Sequence, residues 1–228
     1  MIKYILLDVD DTILDFGKSE KCALGRTFET VGIPLNDAVA ERYSAINMLQ
    51  WEALERGEIT REQVLVRRFE LLLSELGLSI PAEPLQAMYE RYLAEEHWFV
   101  DGAPELLRSL YGKYKLYIVS NGTAFVQDRR LHDAGITELF DGIFISERIG
   151  HDKPSKAFFD AALGSIEGFN ADEAILLGDS LTSDILGGIN AGVKTCWFNP
   201  KGKPARADIV PDFEIRKPSE FTELVNKL

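Results

Sequence analysis

The chain has 228 residues, 46% of them hydrophobic and 27% charged, a composition that excludes a disordered or fibrous protein. At this length one or two domains are expected. The formal charge of −12 excludes loose binding to nucleic acid polymers or anionic membranes, because phosphate groups attract clustered Lys and Arg.

The cysteines and the N-terminus indicate no export. Cys22 and Cys196 lie far apart and form no CxxC pair, so neither a disulfide framework nor a zinc site is indicated. The apolar run from Met1 to Asp8 is too short for a signal peptide, and no stretch approaches the roughly 20 apolar residues of a membrane span. We therefore expect a cytoplasmic protein with no membrane partner, and the sequence leaves monomer and homodimer open.

Five short apolar runs predict the strands of a buried parallel sheet, because each is almost continuously hydrophobic. They are Tyr4 to Leu7, Leu116 to Val119, Gly142 to Ser146, Ala174 to Leu177 and Lys194 to Phe198. Helical segments accompany the later four, at Glu105 to Tyr114, Phe125 to Ala134, Ser155 to Leu163 and Ile185 to Ala191. These repeated βα units predict an α/β fold with a doubly wound, mainly parallel, Rossmann-like sheet.

A long helical segment interrupts this pattern after the first strand. Thr60 and Gln63 match a capping box, and the apolar residues that follow recur at helical spacing until Gly77, which is placed to end the helix. No strand signal occurs in this segment. We therefore predict an all-helical cap at 15–97, inserted in a core made of 1–14 and 98–228.

Asp8 and Asp10 follow the first predicted strand, in the run Asp8-Val9-Asp10-Asp11-Thr12. Open α/β sheets bind their ligands at the carboxyl ends of the strands. Two residues apart on an extended chain, Asp8 and Asp10 point to the same face, while Asp11 points away. Such a carboxylate pair needs a cation or a shared proton, and hard oxygen ligands suit Mg²⁺. The alternative is a turn-forming function, which suits Asp11 alone better than the whole run.

Two further motifs each follow a predicted strand. The run Ser120-Asn121-Gly122-Thr123 offers a hydroxyl and backbone N–H groups to an anion, although taken alone it is better explained as a turn with Thr123 as N-cap. Lys153 precedes Pro154, which is placed to open the next helix. A lone Lys is usually solvated, but one beside several carboxylates can bind a phosphoryl oxygen.

The last motif is Gly178-Asp179-Ser180-Leu181-Thr182-Ser183-Asp184, at the end of the fourth predicted strand. Asp179 is placed like Asp8 and could supply a further carboxylate to a metal site. Asp184 either supports that site or caps the following helix. Gly187 and Gly188 weaken this helix, which indicates close packing against the core. All four motifs follow strands, so we expect them to meet at one edge of the sheet.

In this order, the DxDxT, Ser-Asn-Gly, Lys-Pro and GDSxxxxD motifs resemble the haloacid dehalogenase (HAD) superfamily across essentially the whole chain. The resemblance implies an Mg²⁺-dependent phosphohydrolase with a HAD-like core, in which Asp8 attacks phosphorus to form an aspartyl phosphate. Asp10 would protonate the leaving oxygen and later deprotonate the hydrolytic water. A free Asp is already ionised at neutral pH, so Asp8 needs no separate base.

The same resemblance implies the ligands of the site. The phosphoryl oxygens would be held by Ser120, Lys153 and backbone amides near Asn121 and Gly122. Mg²⁺ would be bound by the Asp8 carboxylate, the Asp10 backbone carbonyl and the Asp179 carboxylate. Behind these ligands, Asp184 would support Lys153 or a metal-bound water, and Thr12 would complete the first motif.

The substrate is suggested by a finer resemblance. The run Asp-Asp-Thr-Ile-Leu-Asp-Phe, the helical insertion and the segment Trp51 to Thr60 are most similar to the pyrimidine 5′-nucleotidase branch, which implies hydrolysis of nucleoside 5′-monophosphates. Phe16, Trp51 or Trp98 could then stack on a base, although core packing is the simpler function of any one ring. Phosphoglycolate, a sugar phosphate and a phosphomutase reaction stay open as alternatives.

Other readings of the motifs fit less well. Family members that remove halide lack the second carboxylate, because halide leaves without protonation, so Asp10 favours phosphoryl chemistry. Phosphonate-cleaving members also lack the second carboxylate, and they carry a lysine in the cap that forms a Schiff base. Lys18 and Lys21 are the lysines available after Asp15 in this chain, but nothing in the surrounding sequence marks either of them for that function. A signalling receiver domain would need a phosphoacceptor Asp in place of the Ser-Asn-Gly run. A noncatalytic phosphoester-binding protein has no need to retain every catalytic group.

Overall fold

The structure, a computed structural model, describes all residues from Met1 to Leu228. The chain divides into two compact units. One is built from Met1–Asp15 and Trp98–Leu228 and contains every β-strand; the other is Phe16–His97 and contains only helices. We call them the sheet unit and the helical unit.

The sheet unit holds a six-stranded sheet in which every neighbouring pair is parallel. Its strands are β1 (Tyr4–Leu7), β2 (Lys115–Ser120), β3 (Gly142–Ile145), β4 (Ala174–Gly178), β5 (Lys194–Phe198) and β6 (Phe213–Ile215). Their order is β3-β2-β1-β4-β5-β6, so the chain moves outward from β1 first in one direction and then in the other. This doubly wound topology confirms the predicted fold class. Strand β6, with three residues and a central Glu214, was not among the predicted strands.

The strands are almost continuously apolar because both faces of the sheet are covered. Ile5 and Leu7 of β1 belong to one buried apolar cluster, whereas Leu6 between them belongs to a second. Strand β2 repeats this division, with Leu116 and Ile118 in the first cluster and Tyr117 and Val119 in the second. Successive side chains of a strand point to opposite faces, so a strand covered on both faces must be apolar throughout.

The helical unit contains four helices, α1 (Phe16–Thr30), α2 (Asp37–Glu55), α3 (Arg61–Glu75) and α4 (Ala82–Leu93). Helix α3 begins with the predicted capping box. The Gln63 N–H donates to Thr60 Oγ1 at 3.4 Å, and the Thr60 N–H donates to Gln63 Oε1 at 2.9 Å. Gly77 follows the helix with a φ of +66°, a left-handed conformation that suits glycine at a helix end.

The α-helices of the sheet unit are α5 (Ala103–Leu110), α6 (Ala124–Asp133), α7 (Ser146–Ile149), α8 (Lys156–Gly164), α9 (Leu186–Ala191) and α10 (Pro218–Val225). Short turns of other helix types lie at Thr137–Leu139, Ala171–Glu173 and Leu181–Ile185. Pro154 does not open α8 as expected. The helix begins at Lys156, because the Ser155 hydroxyl is its N-cap and accepts from the Phe158 N–H at 3.3 Å. None of the helices in the protein has the length and apolar composition needed to cross a membrane.

Candidate active site

Three of the four predicted motifs begin where a strand of the sheet ends. Asp8 follows β1, Ser120 is the last residue of β2, and Asp179 follows β4. Because β1 lies between β2 and β4 and all three are parallel, these residues share one edge of the sheet. Lys153 comes from the loop between α7 and α8 and reaches the same edge, where its ammonium donates to the Val119 carbonyl at 2.7 Å.

Lys153 joins two carboxylates at the centre of this edge. Its Nζ donates to Asp8 Oδ1 at 2.8 Å and to Asp184 Oδ1 at 2.6 Å. The Lys153 side chain is 1% exposed, and those of Asp8 and Asp184 are 10% and 2% exposed. A buried lysine with all its donors used is held as a fixed positive charge.

The charges of this cluster are set by burial and by each other. Burial raises the pKa of Asp8, and the nearby Lys153 ammonium opposes that shift. Burial also disfavours the charged form of Lys153, but the two carboxylates of Asp184 and Asp8 outweigh it and raise the pKa of the lysine. Lys153 is therefore held as a cation beside Asp8.

Asn121 fixes the loop that carries Lys153. Its side-chain Nδ2 donates to the Lys153 carbonyl at 2.9 Å, and its Oδ1 accepts from the Lys153 N–H at 2.8 Å. The same Nδ2 lies 3.4 Å from Ser183 Oγ. The Asn121 side chain therefore has a structural task at this site: it ties the end of β2 to the lysine loop.

The Ser120 hydroxyl is buried and accepts two hydrogen bonds. One comes from the Gly122 N–H at 3.1 Å and the other from Gln127 Nε2 at 2.8 Å. The Gly122 N–H, which the sequence offered to an anion, therefore has a partner in the Ser120 hydroxyl. A hydroxyl that accepts two bonds keeps its own hydrogen to donate, so Ser120 Oγ–H is the group of this turn best able to bind an anion.

Asp10 is held by two side chains of α6 that the sequence did not single out. Arg130 forms an ion pair with Asp10 Oδ1, and Gln127 Nε2 donates to Asp10 Oδ2 at 2.7 Å. Arg130 is 1% exposed and Asp10 is 30% exposed. For this pair of carboxylates the sequence predicts a cation or a shared proton. In the structure each carboxylate also has a basic side-chain partner, Lys153 for Asp8 and Arg130 for Asp10.

A sequence signal for Gln127 and Arg130 did exist. The buried residues of α6 are Val126, Gln127, Arg130 and Leu131, which form one stripe at helical spacing. Two polar residues in an otherwise apolar stripe are unusual, because buried polar groups need partners. The signal indicates that a partner exists but not which one, since Asp10 is 120 residues away in sequence from Arg130.

Asp179 lies beside this cluster with a different partner. Lys203 Nζ donates to Asp179 Oδ2 at 3.1 Å, and the Trp197 indole N–H donates to the Asp179 carbonyl at 2.9 Å. Burial raises the pKa of Asp179 to about 7, with Lys203 opposing the shift and the charges of Asp184 and Asp11 adding to it. Lys203 was not among the predicted site residues.

Three of these carboxylates are close enough to bind one cation. One carboxylate oxygen from each of Asp8, Asp179 and Asp184 lies within 4.8 Å of the other two. Hard oxygen donors of this kind are the ligands that Mg²⁺ prefers. The donor set therefore fits a magnesium ion, and the predicted ligands Asp8 and Asp179 belong to it. The Asp10 carboxylate does not belong to this set and is bonded to Arg130 and Gln127.

Gly178 makes room for Asp184. A Cβ built on Gly178 would lie 2.3 Å from Asp184 Cγ, too close for any side chain. The Asp184 Oδ2 also accepts from the Ser180 N–H at 3.1 Å, so the carboxylate bridges Ser180 and Lys153. Asp184 is thus not a helix cap here. Gly187 and Gly188 meet Phe159 and Thr195 in the same way, each with a Cβ that would lie 2.6 Å from the neighbour, as the sequence indicated.

Asp11 and Thr12 complete the first motif. The prediction that Asp11 points away assumed that the extended strand continues to this residue. That premise was wrong, because β1 ends at Leu7 and Asp11 has a φ of +58°. Its carboxylate is instead near enough to Asp179 to raise the pKa of that group. Thr12 is 1% exposed, and its Oγ1 has no hydrogen-bond partner.

The three aromatic residues proposed for base stacking differ in their exposure. In the helical unit, the Arg61 guanidinium lies 5.5 Å from the centre of the Trp51 ring, and Phe16 is the first residue of α1. In the sheet unit, Trp98 is 52% exposed. Phe16 and Trp51 are half-buried, so Trp98 is the most exposed of the three residues.

The chain matches a known family over most of its length. The family model described as haloacid dehalogenase-like hydrolase matches residues 5–198. The HAD-hydrolase YfnB of Bacillus subtilis is 43% identical over 222 residues, which cover 97% of this chain and 94% of that protein. The pyrimidine 5′-nucleotidases PynA of Streptococcus pneumoniae and YjjG of Escherichia coli are 33% and 32% identical, over 99% and 98% of this chain and 95% and 98% of theirs.

A solved structure is similar over the whole chain. The crystal structure of YfnB from Bacillus subtilis, bound to magnesium, superposes with a TM-score of 0.95 at 42% identity, covering 99% of both chains. The L-2-haloacid dehalogenase of Xanthobacter autotrophicus superposes with a TM-score of 0.81 at 17% identity, covering all of both chains. At that identity the second likeness concerns the fold alone.

Proposed function

This chain belongs to the haloacid dehalogenase-like hydrolase family and is a hydrolase, and on that premise we propose that it is an Mg²⁺-dependent phosphomonoester hydrolase. The observation that carries the proposal is a pair of carboxylates held in different ways. Asp8 is buried against Lys153, whereas Asp10 stays 30% exposed between Arg130 and Gln127. This arrangement suits one carboxylate for attack and the other for proton transfer.

In the proposed first step, an Asp8 carboxylate oxygen attacks phosphorus and the bond from phosphorus to the leaving oxygen breaks. Asp10 gives its proton to that oxygen, so an alcohol leaves and an aspartyl phosphate remains. The Ser120 hydroxyl is the donor available to the phosphoryl oxygens, and the Lys153 ammonium, whose three hydrogens are already bonded, would act on them as a fixed positive charge. Because Lys153 is buried and fixed, it stabilises developing charge without having to reorganise.

In the proposed second step, Asp10 takes a proton from water as that water attacks phosphorus. The bond from phosphorus to Asp8 breaks, phosphate leaves, and Asp10 is again protonated for the next cycle. Asp8 and Asp179, with the backbone carbonyl of Asp10, would hold Mg²⁺, which when bound neutralises and orients the transferring phosphoryl group. Asp184 keeps Lys153 in place through the 2.6 Å hydrogen bond.

For the substrate we propose a nucleoside 5′-monophosphate. Two relatives named pyrimidine 5′-nucleotidases, at 33% and 32% identity over nearly the whole chain, support this class. We also propose that the helical unit acts as the cap of the core and supplies contacts to the nucleoside. A second candidate is a small sugar phosphate, because a glyceraldehyde 3-phosphate phosphatase of Methanopyrus kandleri is 31% identical over the whole chain.

The activity is tested by a phosphate-release screen over nucleotides, sugar phosphates and phosphoglycolate, with and without Mg²⁺. We expect Asp8→Asn to lower kcat by at least ~10³-fold, since it keeps the shape of the side chain and removes the nucleophile. Asp160→Asn, which changes a surface aspartate paired with Lys156, is the matched control. Unchanged turnover in the Asp8 variant would sink the mechanism.

The substrate class is tested separately by ranking kcat/KM in the same screen. We expect pyrimidine nucleoside 5′-monophosphates to rank first. Sugar phosphates well ahead of every nucleotide would refute the nucleotidase proposal while leaving the phosphatase proposal intact. Transfer of the phosphoryl group to a sugar hydroxyl, without phosphate release, would indicate a phosphomutase.

A further inference from the structure

We propose that Arg130 and Gln127 are positioning residues for the acid and base Asp10, and that Gln127 couples Asp10 to the phosphate-binding hydroxyl of Ser120. This inference rests on the proposed phosphomonoester hydrolase activity. It assigns a task in the reaction to two buried residues of α6 that do not touch the substrate themselves.

Both oxygens of the Asp10 carboxylate are held. Oδ1 pairs with Arg130, and Oδ2 accepts from Gln127 Nε2 at 2.7 Å. A carboxylate with one donor on each oxygen cannot rotate freely about its χ2 angle. Each oxygen keeps a second lone pair, so a proton can still be carried. The two donors therefore fix the direction in which Asp10 presents its proton.

Arg130 also decides which way the Gln127 amide points. The guanidinium donates to Gln127 Oε1 at 3.0 Å, so this oxygen faces Arg130 and the NH₂ group faces away. One Nε2 hydrogen then serves Asp10 Oδ2 at 2.7 Å and the other serves Ser120 Oγ at 2.8 Å. A flipped amide would place its oxygen against the Asp10 carboxylate and lose both bonds. The side chains of Arg130, Gln127, Asp10 and Ser120 therefore form one ordered hydrogen-bond network.

The turn before α6 leaves space for this hydrogen-bond network. A Cβ on Gly122 would lie 2.6 Å from both Cγ and Nε2 of Gln127, so only glycine leaves the space that the glutamine occupies. The Gly122 N–H and Gln127 Nε2 both donate to Ser120 Oγ, which leaves the Ser120 hydroxyl hydrogen to act as a donor. Gln127 thus touches both the group that would bind phosphate and the group that would protonate the leaving oxygen.

The burial of Arg130 favours a task in the reaction over a structural one. Its guanidinium is 1% exposed, and its ion-pair partner Asp10 is the more exposed of the two, at 30%. Burying an arginine is costly and is often no better for stability than an apolar residue of similar volume. Misplacing a reacting group by about 1 Å costs on the order of 10²-fold in rate, so a fixed Asp10 has a large kinetic value.

The test compares a poor leaving group with a good one. Alkyl phosphates such as uridine 5′-monophosphate need protonation of the leaving oxygen, whereas p-nitrophenyl phosphate expels a stable phenolate without it. For Arg130→Met we expect kcat/KM to fall by ~10²-fold on the alkyl substrate and by less than ~5-fold on the aryl one. For Gln127→Met we also expect kcat/KM to fall more on the alkyl substrate than on the aryl one, but by a smaller factor than for Arg130→Met. Arg129→Met, which changes the exposed neighbouring arginine on the same helix, should change neither value.

A double-variant cycle gives a second readout. In an Asp10→Asn background, Arg130→Met should add less than ~2-fold, because the group it positions has lost its function. This double variant also removes both charges of the ion pair together, so it avoids a buried unpaired charge. If Arg130→Met does not fold, the Gln127→Met split and the Gln127→Met cycle with Asp10→Asn decide the matter.

Equal losses on both substrates, or full additivity with Asp10→Asn, would overturn the inference and assign Arg130 and Gln127 a structural task. In that outcome the wild-type protein still turns over both phosphomonoesters and the proposed function stands. A wild-type protein that releases phosphate from neither substrate overturns the proposed function, and this inference with it.

Discussion

Lys153 Nζ donates to Asp184 Oδ1 at 2.6 Å, and neither side chain is more than 2% exposed. The same ammonium is 2.8 Å from Asp8 Oδ1, so one buried cation neutralises part of the charge of two carboxylates. This relationship ties the stability of the sheet unit to the residues proposed for catalysis.

Replacing Lys153 tests how far stability depends on this cation. In Lys153→Met, Asp8 and Asp184 remain buried without a counter-charge, so we expect the free energy of unfolding to fall by about 3–5 kcal/mol. Urea titration at neutral pH measures it. Lys156→Met is the control, because Lys156 pairs with Asp160 at the surface and should leave the unfolding midpoint unchanged. A Lys153 variant as stable as the wild type would contradict the account.

Replacing Gly178 tests whether the site needs a residue without a side chain at the end of β4. In Gly178→Ala the new Cβ would lie 2.3 Å from Asp184 Cγ, so Asp184 must move and release Lys153. We expect a loss of about 1–3 kcal/mol in stability and on the order of 10²-fold in kcat/KM. Gly164→Ala is the matched control, since nothing lies within 4 Å of a Cβ at that position. Equal effects of the two substitutions would show that Gly178 is not needed for this contact.

Because the pKa of Asp179 is raised, we expect protons and Mg²⁺ to compete for its carboxylate. Burial raises its pKa to about 7 from a usual value near 3.9. A raised folded-state pKa gives stability that is present below the unfolded pKa, near 4, and is lost as the pH rises through the folded value, about 7. The metal-free protein should therefore lose stability across this window, and Mg²⁺ should offset the loss.

Calorimetric titration of the metal-free protein with Mg²⁺ measures the competition. Affinity should rise by up to tenfold per pH unit until about pH 7 and level off above it, with a proton released on binding below that value. Asp179→Asn should bind Mg²⁺ weakly and lose most of this pH dependence. A wild-type affinity that does not vary with pH would rule Asp179 out as a ligand that titrates in this range.

Much of this site could be predicted from the sequence because local patterns determine it. An apolar strand followed by Asp8, and another followed by Asp179, is enough to bring both carboxylates to one edge of a parallel sheet. Strand β6 could not be found in the same way. Its three residues include the exposed Glu214, and its pairing with β5 depends on tertiary contacts.

The partners of the site residues were beyond the reach of local patterns. Arg130 and Asp10 are 120 residues apart, and Lys203 and Asp179 meet through a loop with no regular pattern of its own. The glycines show the same limit. Gly178 is recognisable in the sequence as part of a motif. Glycine is needed there because Asp184 approaches closely, and that approach exists only in the folded chain.

The central claim, that Asp8 is the nucleophile, is tested most directly by trapping the covalent intermediate. The protein is mixed with a ³²P-labelled phosphomonoester and Mg²⁺, quenched in acid within one turnover, reduced with borohydride and mapped by mass spectrometry. Borohydride reduces an aspartyl phosphate to homoserine, so the account predicts homoserine at position 8, and none in Asp8→Asn. Phosphate release by the wild type with no label on the protein, and with position 8 unmodified, would contradict it.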